Sequence, residues 1–181
     1  MTSDDRLSLL LDRLADYVLA HGLAASSLRP LARAGGTSDR MLLYYFADKD
    51  AVMAATVERI AARMTALLAA AAPPRPLPYT VLRTALAGQL RDAALWPYMR
   101  LWLDMAARAA HGDALYARIG ESIGRGFLAW AGDQLACAAA DRAGLAARLL
   151  TEIEGMVLLT SLGLGDAVDA ALTVSFGSEP G

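Results

Sequence analysis

The sequence predicts an all-α protein: an N-terminal three-helix head built on a helix-turn-helix, then a C-terminal helical-bundle body, about nine helices in all. Three observations lead there. Apolar residues recur at helical spacing, with no β-type alternation on either side of the chain's one obvious break, Pro73-Pro74-Arg75-Pro76-Leu77-Pro78. Residues 27–49, SLRPLARAGGTSDRMLLYYFADK, hold two short amphipathic segments joined at Gly35-Gly36. A composition that is 56% hydrophobic over 181 residues can bury a substantial core, in one compact domain or in a small head plus a larger body.

The first element is an amphipathic helix starting near Ser3. Leu7, Leu10, Leu11, Leu14, Tyr17 and Val18 share its apolar face, Asp4 and Asp5 sit in its first turn, and His21-Gly22 ends it. In the second element Leu28, Leu31, Ala32 and Gly35 recur at i, i+3, i+4 and i+7, so one stripe is buried. Pro30 falls in its first turn, where a missing N–H is harmless; it also biases Arg29 toward extended backbone, which would start the helix one or two residues late. Gly35 and Gly36 stop this helix, since glycine suits the left-handed residue that closes one, and Ala32 is small enough for two backbones to cross closely. In the third element Thr37 and Ser38 offer a hydroxyl cap, Asp39 favours the positive helix end and Leu42 is the inward anchor. Arg40, Leu43 and Tyr44 are left facing out. Phe46 closes the small core, and Asp48 caps a long helix from about Lys49 to Ala72.

Beyond the prolines, helices are expected at roughly 79 to 94, 97 to 110, 113 to 138, 141 to 163 and 166 to 176, with starts marked by Pro97, Asp113, Asp141 and Asp166. From Pro97 to Ala110 the charges are Arg100, Asp104 and Arg108, at i, i+4 and i+8, so a narrow polar stripe faces water while apolar side chains cover the rest. That pattern suits core packing, or a cavity wall in which Trp96, Met99, Trp102 and Met105, with Phe127 and Trp130 opposite, enclose an apolar ligand. Gly120, Gly124 and Gly126 each cost a helix about 1 kcal/mol relative to alanine, which fits a closely approaching neighbour or room for a ligand. The helix from Asp141 to Gly163 has one apolar face in Leu145, Leu149, Ile153, Met156, Val157 and Thr160, and a second in Leu150, Leu158, Leu159 and Leu162. Two dry faces need two partners. Glu154 is the misfit there: either a solvated edge residue, or a buried carboxylate with a raised pKa that reads a ligand or pairs with an arginine.

Composition and motifs exclude other classes. No charged and apolar leader opens the chain, and no run approaches ~18 apolar residues, so a cytoplasmic protein without membrane contact is expected. Cys137 is alone, which leaves no internal disulfide and no multi-cysteine metal site, and reads as a small buried hydrophobe. Gly120-Glu121-Ser122-Ile123-Gly124 matches the G-x-S-x-G elbow in letters, and Gly124-Arg125-Gly126 with Ala129 mimics a dinucleotide fingerprint, but neither follows a strand. His21 and His111 are the only histidines, at predicted helix ends. No catalytic residue, metal or cofactor is expected. The formal charge is −2, and residues 1–50 hold six basic and seven acidic side chains, so bulk attraction to DNA is weak. The acids cluster at Asp4, Asp5, Asp12 and Asp16, whereas Arg29, Arg33, Arg40 and Lys49, the only lysine, lie in the motif.

Residues 5–55 resemble the DNA-binding domain of the TetR family of bacterial transcriptional repressors. The family's diagnostic run, G-[hydrophobic]-S-x-x-x-L-Y-x-H/Y-F-x-x-K, reads here Gly36-Thr37-Ser38-Asp39-Arg40-Met41-Leu42-Leu43-Tyr44-Tyr45-Phe46-Ala47-Asp48-Lys49. Leu43 replaces the usual aromatic after the anchor leucine, which removes a phenol contact to phosphate and offers an apolar one, as to a thymine methyl. Asp39-Arg40 stands where members often carry Lys-Gly; Asp39 repels phosphate unless it accepts from a cytosine amino group or holds Arg40.

The resemblance implies a DNA-binding domain at 1–48 and a ligand-binding and dimerisation domain at 49–181. It implies a homodimer whose last two long helices pair with their copies, with Leu149, Ile153, Val157 and Leu158 at the interface. The helix from Ser38 to Tyr45 would enter the major groove of a near-palindromic operator, with Arg40 and Tyr44 at base edges and Asp39 and Leu43 beside them. Ser27, Arg29, Thr37, Ser38, Tyr45 and Lys49 would hold phosphates. A small apolar effector, bound by Trp96, Met99, Trp102, Met105, Phe127, Trp130 and Glu154, would release the DNA. Two rivals stand beside this: a constitutive DNA-binding protein with a filled core, and a helical small-molecule carrier or enzyme that retained the head.

Overall fold

The computed structural model describes residues 3–70 and 72–173. Among the described residues there are nine helices: α1 Ser3–His21, α2 Leu28–Ala34, α3 Asp39–Tyr45, α4 Lys49–Ala70, α5 Tyr79–Gln89, α6 Trp96–Ala110, α7 Ala114–Gln134, α8 Arg142–Ser161 and α9 Gly165–Thr173. The end of the helix expected at 166 to 176 lies partly outside the described residues, as does Ala71 after α4.

Local chemistry accounts for most boundaries. The Asp48 carboxylate accepts from Ala51 N–H at 2.8 Å and starts α4. Asp113 accepts from Leu115 and Tyr116 N–H at 3.0 and 3.4 Å before α7. Asp141 precedes α8 without a side-chain cap bond; its backbone oxygen accepts from Leu145 N–H at 2.9 Å. The delay expected from Pro30 does not occur. Ser27 is the extended N-cap and the helix begins at Leu28, because a proline in the first turn removes only an N–H that has no helical partner.

Two helices end sooner than their hydrophobic pattern. After Gln89 the chain turns through Arg91 N–H to Gly88 O and Asp92 N–H to Gln89 O, with Asp92 then accepting from Ala94 N–H. At the end of α7, Leu77 takes the backbone groups that would continue the helix: its N–H donates to Gln134 O and its carbonyl accepts from Ala136 N–H, both at 2.8 Å. This single parallel bridge lies between Leu77 and Leu135, so a residue of the proline-rich segment stops a distant helix.

The chain divides into two compact units, residues 1–72 with 96–124 and residues 73–95 with 125–181. In the first, Leu14, Val18, Leu31, Leu42, Val52, Met53 and Val57 form one core, joined by Leu101, Met105, Tyr116 and Ile119. The helix after Asp48 therefore packs into the head, with α1 against α2, α4 and α6. In the second, α5 and α9 pack on α8, and Leu82, Leu86, Ala131, Leu135, Leu149, Ile153, Met156, Val157 and Val168 are buried.

Candidate nucleic-acid interface

The turn between α2 and α3 depends on two glycines in different ways. Gly36 has φ 69°, the left-handed conformation expected of the pair. Gly35 is right-handed at φ −69°. Its hydrogen is needed for closeness, since a Cβ there would lie 2.4 Å from Leu10 Cδ1. Arg13, on α1, donates from its guanidinium to Gly35 O at 3.3 Å and ties the turn to the first helix. The apolar pattern of α1 gave no sign of that role.

Ser38 is the cap of α3, its hydroxyl accepting from Met41 N–H at 3.3 Å, and Leu42 is fully buried. With that anchor fixed, Asp39, Arg40, Leu43 and Tyr44 are exposed. Ser27, Arg29 and Lys49 are exposed as well, and Thr37 and Tyr45 half-buried. The Tyr45 ring meets Tyr44 edge-on, centroids 5.5 Å apart. Among the described residues no hydrogen bond or ion pair joins Asp39 to Arg40, so Asp39 does not hold the arginine. The first unit thus presents, around α3, guanidinium, ammonium, hydroxyl and phenol groups on a rigid support: the donor set that phosphates and base edges accept from.

Two of the acids of α1, Asp12 and Asp16, are tied to another helix. Asp12 accepts from Arg59 at 2.6 Å and from Arg63 at 2.7 Å, and Asp16 accepts from Arg63 at 2.6 Å, joining α1 to α4. The Arg59 hydrogen bond, helped by Arg63 and opposed by partial burial, lowers the Asp12 carboxyl from 3.8 to about 2. Arg59 and Arg63 lie 47 residues or more from these partners, beyond the reach of sequence spacing.

The polar stripe of α6 does not simply face water. Asp104 accepts from Leu23 N–H at 3.2 Å, just after α1, and from Arg108 at 3.2 Å. Arg108 in turn lies over the Tyr116 ring, 5.4 Å from its centroid. A hollow of about 220 Å³ lies between the end of α1 and α6, lined by Val18, His21, Gly22, Pro97, Arg100 and Asp104 among others, and by none of the aromatic residues proposed for a ligand. Of those, Trp96, Met99 and Trp102 are half-buried on α6, whereas Met105 is buried in the core of the first unit. Phe127 and Trp130 belong to the second unit and meet at a tilt, with centroids 5.6 Å apart. Trp130 Nε1 is buried with no hydrogen-bond partner among the described residues. No atom lies within 4 Å of a Cβ built on Gly120, Gly124 or Gly126, so the described residues offer no close neighbour to explain them.

In the second unit Glu152 and Glu154 are both half-buried, and Glu152 is paired with two arginines. Arg83, on α5 and itself buried, lies 2.6 Å from Glu152 and donates to Ala171 O at 3.1 Å. Arg148 reaches Glu152 at 3.0 Å and lies over Tyr79. Burial, then the neighbouring Glu152, pushes the Tyr79 hydroxyl up to about 12. Burial of Glu152 acts to raise its pKa, but the Arg148 bond, the nearby Tyr79 hydroxyl and the Arg83 charge outweigh it and hold the carboxyl low. The Arg148–Glu152 spacing of four was readable; Arg83 was not. Leu149, Ile153 and Val157 are buried within their own unit, while Leu158 is 48% exposed and Leu162 66%.

Cys137 is half-buried rather than enclosed. The G-x-S-x-G letters lie inside α7 and not on a strand-to-helix turn. Among the described residues no group of three or more His, Cys, Asp or Glu could hold a metal ion, and no helix is long and apolar enough to cross a membrane.

No protein-family model matches the sequence, and no curated protein matches it. Solved structures do match its fold. A transcriptional regulator from Rhodococcus sp. RHA1 superposes with TM-score 0.71 at 23% identity, over 94% of this chain and 92% of that one. A TetR-like transcriptional regulator from the same organism gives TM-score 0.60 at 24% identity, over 95% and 93%. The fatty acid degradation regulator FadR of Bacillus halodurans gives 0.57 at 14%, over 99% and 100%. Over nearly its whole length the chain has the fold of a TetR-like transcriptional regulator.

Proposed function

We propose that the protein is a ligand-responsive transcriptional repressor that binds a near-palindromic operator as a homodimer and leaves it when a small apolar molecule binds. One observation carries the reading: the buried Leu42 anchor and the Ser38 cap hold α3 so that Arg40, Leu43 and Tyr44 stand outward. In this reading α3 lies in the major groove, with Arg40 and Tyr44 at base edges and Asp39 beside a cytosine amino group. Ser27, Arg29, Thr37, Ser38, Tyr45 and Lys49 hold phosphates. Residues 1–48 bind DNA, residues 49–181 sense and dimerise, and the protein works in the cytoplasm.

The second copy meets α8. Since Leu149, Ile153 and Val157 are used within their own subunit, the surface on offer is Leu158 with Leu162 and Leu164, all exposed. For the effector, the candidate contacts are Trp96, Met99 and Trp102 in the first unit and, separately, Phe127, Trp130 and Glu154 in the second, where the orphaned Trp130 Nε1 calls for a hydrogen-bond acceptor. A fatty acid degradation regulator of the same fold is in keeping with an apolar effector. A second reading, constitutive DNA binding with a filled body, draws on Met105, which is core and not wall.

Selection of bound duplexes from random DNA, repeated with a library of hydrophobic compounds, tests the proposal. A paired half-site that one compound releases is the expected result. No preferred sequence would end the DNA-binding reading, and a preferred sequence that no compound releases would favour the constitutive one.

A further inference from the structure

The outer surface of α3 is unusually apolar for a helix that meets DNA. With Leu42 buried, a turn of about 100° per residue sends Arg40 and Tyr44 roughly opposite the core and sets Met41 and Leu43 on the two flanks. Those flanks are 41% and 44% exposed, and Tyr44 is 78% exposed. One cation, Arg40, is thus set between two aliphatic shoulders and beside a phenol ring. An isolated surface leucine means little. Here, however, two aliphatic side chains sit on a seven-residue helix fixed by its cap and anchor, within the one surface that the proposed function places against bases.

The major groove offers one apolar group that such shoulders can meet, the 5-methyl of thymine. Sugar and phosphate on the groove walls call instead for donors, which Met41 and Leu43 lack. We propose that Leu43 and Met41 are specificity-determining residues that read thymine 5-methyl groups on either side of the base pair addressed by Arg40. This rests on the DNA-binding reading above and gives it a base preference: each half-site holds a guanine flanked by thymines. Burying one methyl is worth about a fourfold change in affinity.

The test replaces thymine by deoxyuridine, which deletes the methyl and leaves every hydrogen-bonding group in place. The duplexes are those selected from random DNA by the full-length protein. Thymine should be selected within two base pairs of the guanine, and each deoxyuridine there should weaken binding about fourfold. Leu43→Ala should lose a similar factor on the thymine duplex and become indifferent to deoxyuridine at one position, and Met41→Ala at another. Both side chains stand largely outside the core, and the deoxyuridine series on the unaltered protein needs no variant. Selective binding that ignores the methyl groups overturns this inference alone, as does a methyl effect unchanged in both variants. Failure to select any sequence overturns the DNA-binding reading beneath it.

Discussion

Asp12 shows how one side chain sets a pH limit. Its carboxyl titrates near 2 in the folded chain against 3.8 when free, held down by Arg59 and Arg63. A depressed folded pKa stabilises the fold above the free value and loses that contribution as pH falls through the folded one, so the window is about pH 4 to 2. Because the carboxylate is about a third exposed, screening reduces the contribution to about 1 kcal/mol. Urea midpoints for Asp12→Asn should lie below those of the parent at pH 6 and converge with them near pH 2; a constant gap would remove Asp12 as the cause. At the proposed DNA face, Lys49→Ala should weaken every operator variant by a similar factor and lower the salt slope by about 1, since phosphate carries no sequence. Arg40→Ala should cost about 1 to 3 kcal/mol on the best site and flatten the preference at one base pair per half-site. Titrations across single-base variants separate the two, and an unchanged preference would dismiss Arg40 as a reader.

Between elements, the link of α5 to α8 is the most exacting. Removing the Arg83 guanidinium leaves Glu152 partly buried with Arg148 as its remaining ionic partner, so Arg83→Met should lose about 3 kcal/mol of stability. Replacing Glu152 by Met as well should recover part of that loss, because it removes the carboxylate left with one partner fewer. Chemical denaturation of both variants measures this coupling, and simple additivity would argue against it. These contacts also mark what the sequence made legible. The helices of the head followed from local signals, each complete within a few residues: the Ser38 and Asp48 caps, the Leu42 anchor, the left-handed Gly36. Contacts across sequence were hidden. Leu77 ends α7 through two backbone bonds, Arg13 reaches the turn at Gly35, and Arg59 and Arg63 find the acids of α1. Periodicity tells which face of α8 is apolar but not which face its own subunit uses, so Leu149, Ile153 and Val157 looked as available to a partner as Leu158.

For the whole molecule, assembly and sensing are the two proposals still to be measured. Leu158→Glu, on the exposed part of α8, or Leu162→Glu, at its C-cap, sets a charge there without touching the buried face, so the subunit should remain helical while the dimer dissociates and operator affinity falls. Light scattering that finds an unchanged dimer for both would move the interface elsewhere. Sensing turns on the tryptophans. An apolar effector should quench tryptophan emission, raise Tm by mass action and release operator DNA over one concentration range, because a ligand that prefers the DNA-free state and DNA that prefers the ligand-free state oppose each other by linkage. Trp102→Ala separates wall from core. As a wall residue it should lose effector affinity by more than operator affinity, and effector should then raise Tm less. As a core residue it should instead cost about 3 to 5 kcal/mol of stability and leave the ratio of the two affinities alone. That second outcome, joined to the core position of Met105, would leave a DNA-binding protein with a filled body.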